Sequence, residues 1–136
     1  MSVISGGCMC GAVRYEATGT PSNITHCHCA DCRRSAGAPF VTWASFGRNE
    51  FRFTHGQPRE FSFAGRLRSF CPACGTPLTF KAGVDAEEVD VTVCSFDHPE
   101  AILPGDHTWV EDRLPWIHLA DSLPRHAQSR ISMGCS

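Results

Sequence analysis

Cys27-His28-Cys29-Ala30-Asp31-Cys32 places three thiols within six residues, in the spacing C-x-C-x-x-C. In a short irregular loop, alternate and third-next side chains can turn inward on one zinc ion. Three sulfurs are one fewer than the four protein ligands of a closed structural site, and a three-ligand site keeps a position for water or a substrate. Cys71-Pro72-Ala73-Cys74-Gly75 is the second sharp signal. Two thiolates in such a knuckle face one zinc, and the glycine after the second accepts a left-handed backbone. Cys8-Met9-Cys10-Gly11 is the third, because residues two apart in extended chain present their side chains in one direction.

Spacing permits two partitions of these seven cysteines. Cys29/Cys32 with Cys71/Cys74 would make a ribbon-like four-thiolate site, leaving Cys8, Cys10 and Cys27 without a purpose. Alternatively, Cys8/Cys10 with Cys71/Cys74 would close one site, and Cys27, Cys29 and Cys32 would hold a second zinc with an open position. The second partition uses each cluster whole. A bland alternative completes the three-cysteine site with Cys94 or a histidine, making it purely structural. His26 and His28 are the nearest candidates for a fourth ligand or proton carrier, against the plainer expectation of exposed loop histidines; His28 is the one candidate catalytic residue. Asp31 reads as a solvated turn aspartate. Arg33 and Arg34 either grip substrate carboxylates, which guanidinium pairs bidentately, or offset the charge of three thiolates. His107, Trp109, Arg113 and Trp116 either wall a pocket or, for the tryptophans, complete the core. Cys94 reads as inert packing within a strand and Cys135 as a mobile thiol.

The elements that must position these groups are short strands. Val13, Tyr15 and Ala17 alternate with polar residues, as do Phe40 to Phe46 and Glu88 to Phe96, the cleanest pattern in the chain. Phe51-Arg52-Phe53, Glu60 to Phe63, Leu67 to Phe70 and Leu78 to Phe80 are shorter pieces of the same pattern, so a meander of antiparallel strands is expected. Arg33 to Ala36 allows a helical turn or two before Gly37 and Pro39. Ile24-Thr25-His26 leads into the central loop, and from Asp97 onward the chain is Pro-rich and loop-like. The expectation is a mostly β fold with short helical turns, in one domain spanning 1–136.

Composition narrows the classes. The 136 residues are 42% hydrophobic and 19% charged, which predicts folding rather than disorder. A net charge of -2 offers no general attraction to nucleic acid or anionic membrane. No run approaches the ~18 apolar residues of a membrane span, and the amino terminus lacks the basic flank and apolar core of a secretory signal, so a cytoplasmic location is expected. There, nine cysteines favour metal over disulfides.

Taken together, Cys8-x-Cys10-Gly11, Cys27-His28-Cys29-x-x-Cys32-Arg33, Phe70-Cys71-x-x-Cys74-Gly75-Thr76-Pro77-Leu78 and the later His107/Trp109 with Arg113/Trp116 resemble the family of glutathione-dependent formaldehyde-activating enzymes, which also holds centromere-protein-V-like proteins. The resemblance runs from about residue 5 to 124. It implies a β-rich Mss4-like fold of small antiparallel sheets stabilised by two zinc ions per chain: a structural one on Cys8, Cys10, Cys71 and Cys74, and a catalytic one on Cys27, Cys29 and Cys32. It also implies a carbon–sulfur lyase-type activity joining glutathione to formaldehyde as S-hydroxymethylglutathione. No glutathione-binding signature is legible. The alternative from another class is a non-catalytic binding module with two structural zincs.

Overall fold

The computed structural model describes residues 2–130. Cys135, expected as a mobile thiol, lies outside the described residues. Ten strands form two sheets. Strands β1 (Val3–Gly7), β2 (Arg14–Thr18) and β5 (Phe51–His55) make a three-stranded sheet in the order β1-β2-β5. The larger sheet comprises β3 (Ser22–Cys27), β4 (Val41–Gly47), β6 (Arg59–Phe63), β7 (Arg66–Phe70), β8 (Pro77–Lys81), β9 (Glu88–Thr92) and β10 (Asp106–Thr108), ordered β10-β3-β4-β9-β8-β7-β6. One α-helix, α1 (Ala30–Ala36), lies between β3 and β4. The expected mostly β architecture holds.

β4 explains how one sheet serves two interiors. Side chains alternate across a strand, so Ala44 and Phe46 face one side and Val41 and Trp43 the other. Ala44 and Phe46 join Tyr15 and Ala17 from the small sheet and Val13 just before it, with Val89, Val91 and Leu78, in the main core. Val41 and Trp43 join Phe80 in a smaller cluster that also holds Cys27, Cys29 and Cys32. Cys8 and Cys71 belong instead to the main core. The two cysteine groups therefore rest in different hydrophobic clusters.

Four features depart from the sequence expectations. The strand expected over Glu88–Phe96 ends at Thr92, and Val93–Ser95 form a 3-10 turn. Cys94 is consequently exposed rather than packed. Ile24 to Cys27, expected as a lead-in, belongs to β3 and is tied antiparallel to β4. Asp106–Thr108, expected as loop, adds to β3 as a parallel strand, with His107 opposite His26 and Thr108 opposite Cys27. Three residues are too few for periodicity to betray a strand. No described helix is long and apolar enough to cross a membrane.

Candidate metal centres

Cys8 and Cys10 follow β1 in a tight turn closed by backbone hydrogen bonds from Cys8 N to Val13 O (3.0 Å) and from Gly11 N to Cys8 O (3.2 Å). The turn between β7 and β8 repeats the device. Cys71 N reaches Thr76 O at 3.0 Å and Gly75 N reaches Cys71 O at 2.8 Å, with Gly75 at φ 83°. A Cβ is disfavoured in that left-handed conformation, which is why a glycine follows the second cysteine. These turns bring four sulfurs within 4.8 Å of one another, so the group could hold a metal ion. Sulfur separations of 3.6 Å for Cys8–Cys10 and 3.9 Å for Cys10–Cys71 match the edge of about 3.8 Å that a tetrahedron of ~2.3 Å zinc–sulfur bonds requires.

Donors already surround these sulfurs. Val13 N–H donates to Cys8 Sγ at 3.2 Å, and the N–H groups of Ala73 and Cys74 donate to Cys71 Sγ at 3.3 and 3.4 Å. The Thr76 hydroxyl lies 3.2 Å from Cys74 Sγ and, with the backbone hydrogen bonds, lowers the Cys74 thiol to about 5. Cys10 moves the other way, to about 11: the Ala12 backbone hydrogen bond favours its thiolate, but the Cys8 and Cys74 sulfurs and desolvation outweigh it. One sulfur thus ionises readily while its neighbour keeps its proton, the behaviour of thiols crowded together until a cation takes the place of their protons.

The second group is built differently. Cys27 ends β3, Cys29 is the N-cap of α1, and Cys32 lies inside the helix. The irregular loop expected from the spacing is a strand end joined to a helix start. Cys29 Sγ accepts from Cys32 N at 3.3 Å, a thiol acting as the capping group, and Gly37 closes the helix at φ 62°. The three sulfurs lie within 4.8 Å of one another and could hold a metal ion, Cys32 and Cys27 being 3.5 Å apart. All three residues are buried. The Cys32 thiol is pushed up by its hydrogen bond with Cys29 and by burial, while Trp43 and the Arg68 guanidinium work in the opposite direction. Neither Cys94 nor a histidine brings a ligand atom into this group among the described residues.

Beside it runs a chain of imidazoles. His28 Nε2 is 3.0 Å from His107 Nδ1, and His107 Nε2 is 3.1 and 3.0 Å from the two Asp121 carboxylate oxygens. A carboxylate only accepts, so His107 donates from Nε2 and its Nδ1 is left to accept from His28 Nε2–H. His28 Nδ1 is then a bare lone pair. That atom is buried without a hydrogen-bond partner among the described residues. Desolvation, with the fields of His107, His26 and Arg113, lowers the His28 imidazole to about 4. His28 is not the exposed loop histidine of the plainer expectation, being 0% exposed, and His26 is half-buried rather than exposed; His107 is 1% exposed. His26 is also lowered by desolvation and sits 2.8 Å from the Thr42 hydroxyl.

The remaining predicted residues divide. Trp109 packs against the three-thiol cluster and turns the chain after β10 with φ 56°, a strained conformation for a bulky residue. Trp116 is 64% exposed and completes no core. Arg113 donates to Ile117 O. Asp31 and Arg34 are exposed, and Arg33 is half-buried. Asp121 and Arg68 were invisible to spacing: the first is 14 residues from its partner, and the second reads only as the polar member of an alternating strand.

Two cysteine groups held by a two-sheet β fold define a class, small β domains whose clustered cysteines could hold metal ions. A sequence model of the glutathione-dependent formaldehyde-activating enzyme family matches residues 3–112. The chain belongs to that family. It is 28% identical, over 120 residues covering 74% of this chain and 84% of the relative, to an uncharacterized lyase of Schizosaccharomyces pombe. A Rhodobacter sphaeroides protein solved by crystallography shares the fold, with a TM-score of 0.58 and 20% identity over 90% of this chain and 98% of that one.

Proposed function

We propose that the protein is a zinc-dependent, carbon–sulfur lyase-type enzyme acting on thiol adducts of small electrophiles, with glutathione and formaldehyde as the pair the family name suggests. It acts as one domain, in the cytoplasm, with two zinc ions. Cys8, Cys10, Cys71 and Cys74 hold the structural ion, and Cys27, Cys29 and Cys32 hold the catalytic one. The carrying observation is the inequality of the two groups, four converging sulfurs against three among the described residues. The lyase name of the relative supports the reading.

Cys27, Cys29 and Cys32 would hold the zinc, which would favour the thiolate form of an incoming thiol at neutral pH. In the synthetic direction, the glutathione sulfur adds to the aldehyde carbon. A carbon–sulfur bond forms, the π electrons move to the carbonyl oxygen, and that oxygen takes up the proton the thiol released. The lyase direction reverses each step. His28 Nδ1 accepts the hydrogen bond of the adduct hydroxyl, and Asp121 and His107 fix the tautomer that leaves this atom bare. Trp43, Phe80 and Trp109 keep water from the reacting pair, so the protein's contribution is positioning and exclusion of solvent.

X-ray absorption at the zinc edge of the metal-loaded protein tests this. Averaged over both sites, the sulfur count should rise from about 3.5 to 4 on adding glutathione. A value of 4 that ignores glutathione overturns the reading. One observation favours the rival, a binding module with two structural zincs: all three cysteines of the second group are at most 2% exposed. That rival requires the unresponsive result.

A further inference from the structure

A cavity of about 440 Å3 borders α1 and the outer strands of the larger sheet, lined among others by Ser35, Ala36, Trp43, Phe61, Arg68 and Phe70. Its volume lies within the ~300–1,000 Å3 usual for small-ligand pockets. Ser35 and Ala36 follow Cys32 on the same helix, and Trp43 belongs to the cluster that holds the three thiols. Through Trp43 and Val41 the cavity borders the cluster around the second cysteine group, although no cysteine lines it, and at its other side Gly75 and Pro77 belong to the turn after Cys74. Its walls are largely aromatic and aliphatic, and Arg68 is the one charged residue among those lining it.

The Arg68 guanidinium carbon lies over the Phe80 ring, 4.8 Å from its centroid, and Nη1 donates to the Ser35 hydroxyl at 3.1 Å. Phe80 is its cross-strand neighbour in β8 and itself packs against the three-thiol cluster. Among the described residues no carboxylate forms an ion pair with Arg68. A guanidinium has five N–H donors in a rigid fork that suits a carboxylate, so one hydroxyl leaves most of that capacity unused. The Phe80 and Ser35 contacts fix the fork's orientation before anything binds. Arg33 and Arg34, the arginines that sequence puts forward for carboxylates, line neither of the two described cavities.

We propose that Arg68 is the substrate-anchoring residue of this site, binding a carboxylate of the thiol substrate in the cavity that borders the cluster around Cys27, Cys29 and Cys32. The site would then select peptide-like thiols bearing a carboxylate over small neutral thiols. The inference rests on the thiol-binding function proposed above and adds the group that chooses the thiol. A thiol anchored at both ends loses its freedom before reaction, which is how a remote contact contributes to rate.

Calorimetric titration of the zinc-loaded protein with glutathione, its diethyl ester and N-acetylcysteamine, a thiol without a carboxylate, tests the proposal. Arg68→Gln retains the stem over Phe80 and removes the charge. It should weaken glutathione about 10–100-fold, the effect of losing a charge-assisted pair, and leave N-acetylcysteamine unchanged. Arg68→Lys should fall between, keeping the charge but losing the fork. The ester should bind the unmodified protein about 10–100-fold more weakly than glutathione, a comparison that needs no variant to fold. Glutathione binding that neither Arg68→Gln nor esterification weakens overturns this inference and leaves the proposed function standing. Failure of every thiol to bind the unmodified protein overturns both.

Discussion

The four-thiol and three-thiol groups differ in how far along the chain their ligands come from. Cys10 and Cys71 are 61 residues apart yet 3.9 Å apart in space, whereas Cys27 and Cys32 are five residues apart. The first pair of turns belongs to different sheets, Cys8 and Cys10 after β1 of the small one and Cys71 and Cys74 between β7 and β8 of the large one. A metal bound there would staple the sheets together across a long loop and stabilise the fold through closure entropy as well as ligation. The second group spans one connection, β3 to α1, so its metal constrains little that the local backbone does not already fix. Ligand count points the same way, and sequence separation supports the proposed division, one site for architecture and the other for chemistry.

Cys71→Ser against Cys29→Ser is the strongest way to break this comparison. Structural zinc in small domains contributes roughly 10–16 kcal/mol of apparent binding free energy, comparable with or larger than the ~5–15 kcal/mol net stability of a typical domain. Cys71→Ser should therefore unfold or aggregate, while Cys29→Ser should keep its circular dichroism spectrum and lose one of two zincs by metal analysis. Equal unfolding by both would abolish the division.

Asp121→Ala sharpens the catalytic side. Asp121 is partly exposed but His107 is buried, so losing the carboxylate leaves the His107 Nε2–H without its partner and should cost about 1–3 kcal/mol of stability. Loss of a group that orients through another residue should still reduce kcat/KM about 10–100-fold with metal content unchanged. Nitrogen-15 NMR of the histidines should show the His28 tautomer released, and Asp121→Glu should restore it. A tautomer unaffected by Asp121→Ala would mean the carboxylate does not set it.

Asp90 tests the large sheet without touching either group. Burial pushes its carboxyl up to about 6, although the Ser45 hydroxyl donates to it at 2.5 Å. Its ordinary value is 3.8, so between these values the native state holds a proton the unfolded chain has released. The stability this group confers is full below that ordinary value and is lost as pH rises through about 6. Asp90→Asn should raise stability at pH 7 by on the order of 2 kcal/mol and lose that advantage near pH 4, with both zincs retained. The reverse pH trend in thermal melts would contradict it. The smallest effect belongs to Trp116→Ala, which should change stability by less than about 0.5 kcal/mol because the ring is exposed.

Local order made much of this legible from residues alone. The three cysteine clusters, the glycine-terminated turns and most strands are set by spacings of two to five residues, which the backbone's own geometry converts into convergent side chains or a buried face. The alternation of Val89 and Val91 against Asp90 and Thr92 shows this directly, and its overrun into Val93–Ser95 shows the limit, since periodicity does not mark where tertiary contacts curl a strand. Only the folded chain decided which hydrophobic cluster each cysteine group occupies, because the two faces of β4 look alike in sequence and are distinguished by what packs on them. It also decided that His28, His107 and Asp121 form one hydrogen-bonded line, and that Arg68 stands beside the three thiols. Those meetings join segments with no shared local pattern, and they exist because β10 adds in parallel to β3 while β7 and β8 carry Arg68 and Phe80 across the same sheet.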